Sequence, residues 1–470
     1  GVLPGAGGSY FQVVPFRKTM ADERSSITLL PDSGSPLLLK WGDSFVTSGD
    51  ALHADRIVEG RVVVAGYGVT APELNHDDYA GIDVRGKIVV VFSGAPARFR
   101  GPLRAHYSSS LGKLENAAAH GAAGLITINS RDGASRSWGR SVRQARLGAM
   151  HWLDSNGQPQ AVSSQISSTI TFNPASADLL LGRERPLAGV LKAVKDGTFR
   201  SFELPLRAKI QTISSHERIE SANVVGMVRG SDEVLRDQYL VYSSHLDHLG
   251  ITEPVDGDAI NNGAFDNASG IAALIEIAKA MAALSPAPRR SVIFLATTAE
   301  EKGLRGADYF ANHPTVPKEQ LVANINIDQI MMIDAVRDVI VHGEDASTLG
   351  DVAREVARTN GIEISADPFP EEVVFVRSDQ YPFIKQGIPA LYIDPGYKAV
   401  TPGVDAKKNQ SEWIRSRYHT PADDLGQKID YSMPAMLARY DFLVGLAVAN
   451  ADARPAWKPG NFFGEKFGRR

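Results

Sequence analysis

Residue types that bind metals follow several apolar segments of this sequence. The segment SSHLDHLG, residues 243–250, holds two histidines and an aspartate after the apolar run YLVY. Further carboxylates and a histidine occur in GAFDNASG, TTAEEKG, NINIDQ and YHTPADD. Carboxylates embedded in apolar strands are costly unless they are paired or bind a metal. Because imidazoles and carboxylates are the donors of metal-dependent hydrolases, we interpret the segments as parts of one candidate metal site.

The candidate residues share a position next to an apolar run or ahead of a helix. They are His245, Asp247, Asp266, Glu300, Glu301, Asp328 and His419. Taken singly, each is better explained as a hydrogen-bonded or solvated structural residue. Their recurrence within one stretch of the chain favours a shared function.

Composition narrows the chemistry of this site. The chain has 470 residues, 43% apolar and 22% charged, which fits a globular protein of two or more domains. The net charge of −4 gives no basis for a nucleic acid partner, and no apolar run reaches the length of a membrane span. The absence of cysteine excludes disulfides, thiolate ligands and a cysteine nucleophile. A metal must therefore bind His, Asp and Glu, a donor set that suits zinc, manganese or cobalt.

Strands must alternate with helices from about residue 200 to bring these residues together. The runs YLVYSSH, SVIFLATTAEE, VANINIDQI, DVIVHG and IPALYIDPG read as strands that end in polar residues. Between the first two, ASGIAALIEIAKAMAAL predicts a helix whose apolar face comprises Ile271, Leu274, Ile275, Ala278, Met281 and Ala282. This alternation predicts an α/β sheet covered on both faces. Sites in such sheets lie beyond the carboxyl ends of the strands.

The segments HLDHLG, GAFDNASG, TAEEKGLRGADYF, NIDQI and YHTPADD resemble, in order and setting, the motifs of the M28 family of co-catalytic zinc aminopeptidases. The likeness covers nearly all of residues 200–450. GKIVVVFSG and ENAAAHGAAGLITINS resemble the protease-associated (PA) domain that many members carry as an insertion. The resemblance implies an α/β zinc-exopeptidase fold of the phosphorylase/hydrolase-like type. That fold has a mixed central sheet flanked by helices, here with an inserted small α+β PA domain.

The resemblance also implies two metal ions, zinc by default, with manganese or cobalt as substitutes. His245 and Asp328 would bind one ion, Glu301 and His419 the other, and Asp266 would bridge them.

The remaining roles are also carried over from the resemblance. Glu300 would be the general base and Asp247 would orient the imidazole of His245. Adjacent side chains on a strand point in opposite directions, so Glu300 and Glu301 can differ in role only if the strand ends before them. His248 has no ligand role in the family, and we interpret it as structural or as lining the rim of the cleft.

The same resemblance carries expectations for the supporting loops. The Asp266–Asn267 peptide bond is expected to be cis, with Asn267 or Ser269 capping the following helix. Ser378, Asp379 and Gln380 stand where relatives often have Ser-Asp-His, in a segment that forms part of the substrate pocket. Asp423 matches an acidic position of the family, and we expect it to support the site.

The predicted domains are 1–45, the N-terminal part of the peptidase domain; 46–195, the PA-like insertion; 196–455, the catalytic domain; and 456–470, a tail. The opening GVLPGAGGSYFQ resembles the interior of a domain, so we expect that a preceding helix and a signal peptide have been removed. A secreted or periplasmic location is expected with it.

The predicted function is removal of N-terminal residues from peptides, so the expected partners are peptide substrates. Carboxypeptidase or dipeptidase action at the same site is the first alternative, and Arg377 keeps it open because a cation would bind a substrate carboxylate. A glutaminyl cyclase shares the fold, although the PA-like insertion argues against it. A metal-free receptor is the alternative outside enzymes. The sequence carries no indication of an oligomeric state.

Overall fold

The computed structural model describes residues 1–99, 101–130, 138–160 and 163–468. The strands are β1 (Leu3–Pro4), β2 (Phe11–Ala21), β3 (Ser26–Pro31), β4 (Leu37–Lys40), β5 (Phe45–Val46), β6 (Asp55–Val64), β7 (Thr70–Ala71), β8 (His76–Asp77), β9 (Ile88–Phe92), β10 (Gly124–Ile128), β11 (Ala149–Trp152), β12 (Ile170–Phe172), β13 (Phe202–Val228), β14 (Tyr239–His245), β15 (Gly250–Val255), β16 (Asp258–Asn261), β17 (Ser291–Thr297), β18 (Leu321–Asn326), β19 (Asp338–His342), β20 (Glu363–Ile364) and β21 (Ala390–Pro395). The α-helices are α1 (Gly101–Ser108), α2 (Ser110–Ala119), α3 (Trp138–Arg146), α4 (Ala177–Leu181), α5 (Leu187–Lys195), α6 (Ser269–Ala282), α7 (Arg305–Asn312), α8 (Thr348–Asn360), α9 (Gln380–Lys385), α10 (Ala406–Ser416), α11 (Ser432–Asn450) and α12 (Phe462–Phe467).

The chain forms two compact units. Unit 1 comprises Gly1–Val14, Glu220–Phe369 and Val374–Arg470, and unit 2 comprises Pro15–Ile219 and Pro370–Val373. The domain boundaries predicted after residues 45, 195 and 455 stay predictions. Residues 456–470, predicted as a tail, include α12, whose Phe463 is buried.

Unit 1 contains a mixed sheet with the strand order β1-β13-β17-β14-β18-β21-β19-β20. The four central strands β17, β14, β18 and β21 are parallel, whereas β13 and β19 run antiparallel to their neighbours β17 and β21. The predicted mixed α/β fold is thereby confirmed. All residues of β14 are buried, which explains why this strand reads as an apolar run up to its polar end.

Helices cover both faces of this sheet. Leu240 and Tyr242 of β14 belong to one apolar core, which includes residues of α6, α8 and α11. Val241, between them, belongs to a second core with residues of α7 and α9. Alternate residues of a strand point to opposite faces, so β14 is buried from both sides.

The helix predicted over ASGIAALIEIAKAMAAL is α6, although its buried face differs from the predicted one. Ala273, Leu274, Ile277 and Met281 are buried, whereas Ile275 is 53% exposed. The helix is apolar on most of its circumference, so residue type alone does not select the face that meets the sheet.

Strand β13 was not predicted, although its N-terminal half alternates buried and less buried residues. This half pairs antiparallel with β6 and β3 in the sheet of unit 2. The C-terminal residues of β13 pair with β17 and β1 in the sheet of unit 1.

Unit 2 contains a sheet with the order β4-β3-β13-β6-β9-β10-β12-β5. Strands β6, β9, β10 and β12 are parallel. Leu114 and Ala117 of α2 pack on β9 in the core of this unit. Among the residues that the structure describes, no helix in either unit is long and apolar enough to cross a membrane.

Candidate metal centre

The carboxyl ends of three parallel strands of unit 1 bring the candidate residues together. His245 is the last residue of β14, and Asp328 follows the end of β18 by two residues. Glu300 and Glu301 follow the end of β17 at Thr297. Ends of parallel strands lie at one edge of a sheet, so three separate segments deliver donors to one place.

His245, Asp266 and Asp328 form what we name the first donor group. Nε2 of His245 lies 3.2 Å from Oδ1 of Asp266 and 3.0 Å from Oδ1 of Asp328. These three residues can offer donor atoms that all lie within 4.8 Å of one another.

Asp266, Glu301 and His419 form the second donor group. Nε2 of His419 lies 3.2 Å from Oδ2 of Asp266 and 3.1 Å from Oε2 of Glu301. The two oxygens of Asp266 therefore face different histidines. This is the arrangement that a carboxylate bridging two cations would have, and all five predicted ligands take part in it.

The contacts within both donor groups fit shared cations. Two donors bound to one zinc ion at about 2.0–2.1 Å in tetrahedral geometry lie roughly 3.3 Å apart, close to the distances found here. Nδ1–H of His245 donates to the main-chain oxygen of Asp247 at 3.0 Å, which leaves Nε2 directed at the carboxylates. Burial opposes a charge on this ring, yet the carboxylates of Asp328, Glu300 and Asp266 raise the pKa of His245 well above its usual value. The carboxylates of the first donor group thus favour a positive charge at the position of the His245 ring.

Asp247 contacts the imidazole of His245, as predicted, but through its main chain. Its main-chain oxygen, rather than its carboxylate, accepts the hydrogen bond of His245, because Oδ1 lies 4.0 Å from the ring nitrogen. The carboxylate instead accepts the main-chain N–H groups of Glu300 at 2.9 Å and Glu301 at 3.3 Å. Asp247 therefore ties the end of β14 to the turn after β17.

The backbone turns where Glu300 and Glu301 need different directions. Strand β17 ends at Thr297, and Ala299 is left-handed with φ of 55°. The N–H of Gly303 donates to the main-chain oxygen of Glu300 at 2.7 Å and closes the turn. The prediction that the strand ends before the two glutamates is confirmed.

Glu300 is a partly buried carboxyl outside both donor groups. Burial raises its pKa well above the usual value, and the charges of Asp328, Glu301 and Asp379 raise it further against the lowering effect of His245. A carboxyl with a raised pKa that stands beside a metal site is suited to accept and return a proton.

Comparison with known proteins matches the part of the chain that carries this site to a family. Residues 223–442 match the model of peptidase family M28, and residues 58–165 match that of the PA domain. Residues 223–442 belong to peptidase family M28. The M28 domain contains every residue of both donor groups and identifies the chain as a peptide hydrolase.

Individual relatives share limited sequence identity with this chain or match only part of it. A probable zinc metalloprotease of Leptosphaeria maculans is 25% identical over 64% of this chain and 73% of its own length. The aminopeptidase NAALADL1 of Mus musculus is 36% identical over 25% of this chain, and the match spans only 15% of that relative. The structure of the aminopeptidase from Aneurinibacillus sp. strain AM-1 superposes with a TM-score of 0.51 at 21% identity, covering 96% of this chain and 85% of the other. This likeness supports the fold.

The loop that carries Asp266 in the M28 domain is fixed from two sides. The Asp266–Asn267 peptide bond is cis, as predicted. Oδ1 of Asn267 accepts the N–H of Gly270 at 3.0 Å, so Asn267 caps the first turn of α6. Asp423 accepts the main-chain N–H groups of Phe265 and Asp266 at 2.9 and 3.1 Å, which is a supporting contact of the predicted kind.

An aromatic pair extends this support. Trp413 of α10 stacks on Phe265, with ring centroids 5.1 Å apart and planes 11° from parallel. Its indole N–H donates to Gln427 at 2.7 Å, and Gln427 in turn donates to Asp423 at 3.0 Å. Trp413 is thus connected to the Asp266 loop by stacking and by hydrogen bonds.

A buried polar network holds Asp328. Oγ of Ser378 donates to Oδ2 of Asp328 at 2.5 Å, and Tyr392 donates to its main-chain oxygen at 3.1 Å. Asn326 donates to both Ser378 and Gln380. Ser378 and Gln380, singled out in the sequence as pocket residues, therefore stand behind a candidate ligand.

Asp379 lies in the same segment. Thr297 donates to it, and burial raises its pKa to about 7.

Two further aromatic residues, one of them not singled out in the sequence, contact predicted ligands. His248, interpreted there as structural or rim-lining, lies 2.7 Å from Glu301. Tyr418 stacks on His419 with centroids 3.8 Å apart, and burial raises its pKa well above the usual value. Their adjacency to predicted ligands in HLDHLG and YHTPADD was the available signal.

Proposed function

We propose that the chain is a zinc-dependent exopeptidase that removes N-terminal residues from peptides at a two-metal site. Asp266 carries this proposal, because its two oxygens contact His245 and His419 separately. The zinc assignment is supported by the mixed nitrogen and oxygen donors and by relatives named as zinc metalloproteases. Manganese and cobalt suit the same donors.

The donor groups would hold divalent ions, whose Lewis acidity lowers the pKa of a water molecule at the site towards about 7. Glu300 accepts the proton of the attacking water and returns it to the leaving amine. Its raised pKa suits both halves of this task, because a strongly acidic carboxyl would return the proton poorly. Burial of His245 and Asp266 keeps these charges in a low-dielectric setting that strengthens their interactions with the partly buried Glu300.

The direction of cleavage follows from charges near the donor groups. Glu300 and Asp379 are acids beside the site, and acids favour binding of a substrate α-amine. Relatives named as aminopeptidases support the same direction. Carboxypeptidase or dipeptidase action is the second candidate, since the charge of exposed Arg377 reaches the phenol of Tyr418 and could bind a substrate carboxylate.

A panel of aminoacyl-nitroanilides and of peptides blocked at either end tests the proposal. We expect hydrolysis of substrates with a free amine, loss of activity after chelation, and recovery when zinc is restored. Cleavage only of peptides with a free carboxylate would favour the alternative. Hydrolysis unchanged by a chelator would overturn the metal mechanism. A purified protein that holds no metal and hydrolyses none of the substrates would favour a metal-free receptor.

The proposal includes a secreted or periplasmic location, which the absence of cysteine permits. Fractionation of the source cells tests it, and recovery of the enzyme only with the cytosol would contradict it.

A further inference from the structure

His248 lies against the second donor group. Its Nδ1 is 2.7 Å from Oε1 of Glu301, on the opposite carboxylate oxygen from the one that His419 contacts. The rings of His248 and His419 meet edge to face with centroids 5.7 Å apart. Glu301 therefore lies between two imidazoles, of which only that of His419 has a predicted role.

The contact between His248 and Glu301 is not an aligned hydrogen bond. Within the part of the chain that the structure describes, neither ring nitrogen of His248 has a hydrogen-bond partner, and neither has Oε1 of Glu301. The side chain of His248 is only 9% exposed, so leaving both nitrogens unsatisfied is costly. A close approach without a hydrogen bond is what two ligands of the same cation would show, because they share the cation rather than a proton.

Donor atoms of His248, Asp266 and Glu301 all lie within 4.8 Å of one another. From this geometry we propose that His248 is a metal ligand, the fourth member of the second donor group, binding through Nδ1. This inference rests on the proposed two-metal function and extends it.

The backbone around His248 allows this approach. Gly263 is left-handed with φ of 65°, and a Cβ at this position would lie 2.8 Å from Cγ of His248. The absence of a side chain at residue 263 lets the loop before Asp266 pack directly on the imidazole. His248 and the bridging carboxylate are thus fixed by one segment.

The two donor groups are unequal as a result. The first has one imidazole and two carboxylates, whereas the second has two imidazoles and two carboxylates. The second group has one more neutral donor, so it should bind zinc or cobalt more tightly and fill first.

Cobalt-substituted protein tests the assignment directly. Each imidazole bound to paramagnetic cobalt(II) gives a strongly shifted, exchangeable N–H proton resonance. We expect three such resonances in the wild type, from His245, His419 and His248, and two in His248→Ala. We also expect His248→Ala to lose at least about tenfold in affinity for one of its two metals, measured by titration of the apoprotein with zinc.

His313→Ala is the matched control, because His313 is an exposed histidine of the same unit outside both donor groups. It should retain three resonances and both affinities. A wild type with two bound metals but only two shifted resonances would overturn the role of His248 and leave the proposed function intact. A wild type that binds fewer than two metals would instead contradict the proposed function.

Discussion

At the scale of the residue, neighbouring side chains in this site have different surroundings. Glu301 contacts two imidazoles, and these lower its pKa despite the raising effect of burial. Burial and the nearby carboxylates raise the pKa of the adjacent Glu300. These opposite pKa shifts in adjacent glutamates fit the proposed roles of Glu301 as a metal ligand and Glu300 as a general base.

Glu300→Gln should therefore separate chemistry from metal binding. The amide keeps the size of the side chain but takes up no proton, so we expect kcat to fall by about 10²- to 10⁴-fold. Metal content should stay at the wild-type value. The matched variant Glu301→Gln should lose affinity for one metal. Full turnover of Glu300→Gln would remove it from the role of base.

Lys113 in unit 2 gives a second prediction at this scale. It is buried, donates to the main-chain oxygens of Tyr67 and Gly94, and burial lowers its pKa from 10.5 to about 7 against the raising effect of Asp78. Between these pH values the unfolded chain binds more protons than the folded chain, so the free energy of unfolding should rise with pH.

Lys113→Met removes this titration. Relative to the variant, wild-type protein should gain about 1.4 kcal/mol in unfolding free energy for each pH unit in this window, and no further gain should follow above it. Urea unfolding of both proteins across the window measures the difference. Parallel pH profiles for the two proteins would show that Lys113 stays charged when folded.

At the scale of the element, the strands of unit 1 were predicted well because they are buried on both faces and end in polar residues. The predicted face of α6 included Ile275, which is 53% exposed but as apolar as the residues that are buried against the core. Strand β13 was missed because its middle, SSHERIES, is polar and mostly exposed. Its extended backbone is stabilised by pairing with strands that are distant in the chain. The residue pattern of a single segment carries no information about such pairing.

Gly263 shows how an element positions the site. In Gly263→Ala, Cβ would overlap the main-chain oxygen of Asp266 and crowd His248. The left-handed backbone adds about 1–3 kcal/mol of strain. We expect a lower melting temperature and a loss of bound metal, measured by calorimetry and by metal analysis.

Gly257, in the turn between β15 and β16, is the control for backbone strain alone. It is also left-handed, with φ of 91°, but no atom lies within 4 Å of its Cβ position. Gly257→Ala should lower the melting temperature less and retain its metal. Equal metal loss in both variants would show that contacts at Gly263 are not responsible.

At the scale of the whole molecule, each compact unit has its own buried core, and all site residues belong to unit 1. A ligand that binds only the folded state stabilises it by RT ln(1 + [L]/Kd). Removal of metal should therefore speed hydrogen exchange in the loops that carry His245, Asp266, Glu301 and His419, while peptides of unit 2 keep their rates. Exchange that increases equally in both units would contradict this expectation.

The sequence predicted which residues come together, because His245, Glu301 and Asp328 follow recognisable strands and the M28 motifs pointed to Asp266 and His419. The sequence did not predict contacts between side chains and segments that are far apart in the chain. The carboxylate of Asp247 binds the turn after β17 rather than His245, and His248 reaches Glu301 across a loop. Both residues lie in HLDHLG, yet their partners are more than 50 positions away.

The stacking of Trp413 on Phe265 gives this enzyme an intrinsic optical probe. The indole is linked to the loop of the bridging carboxylate, so its fluorescence emission should change when that loop gains or loses its cations. Titration of apoprotein with zinc would then report loading without any substrate. Trp413→Phe should abolish most of the change, whereas an unaltered response would assign it to another tryptophan. Such a signal would allow the order in which the two metals bind to be followed in real time.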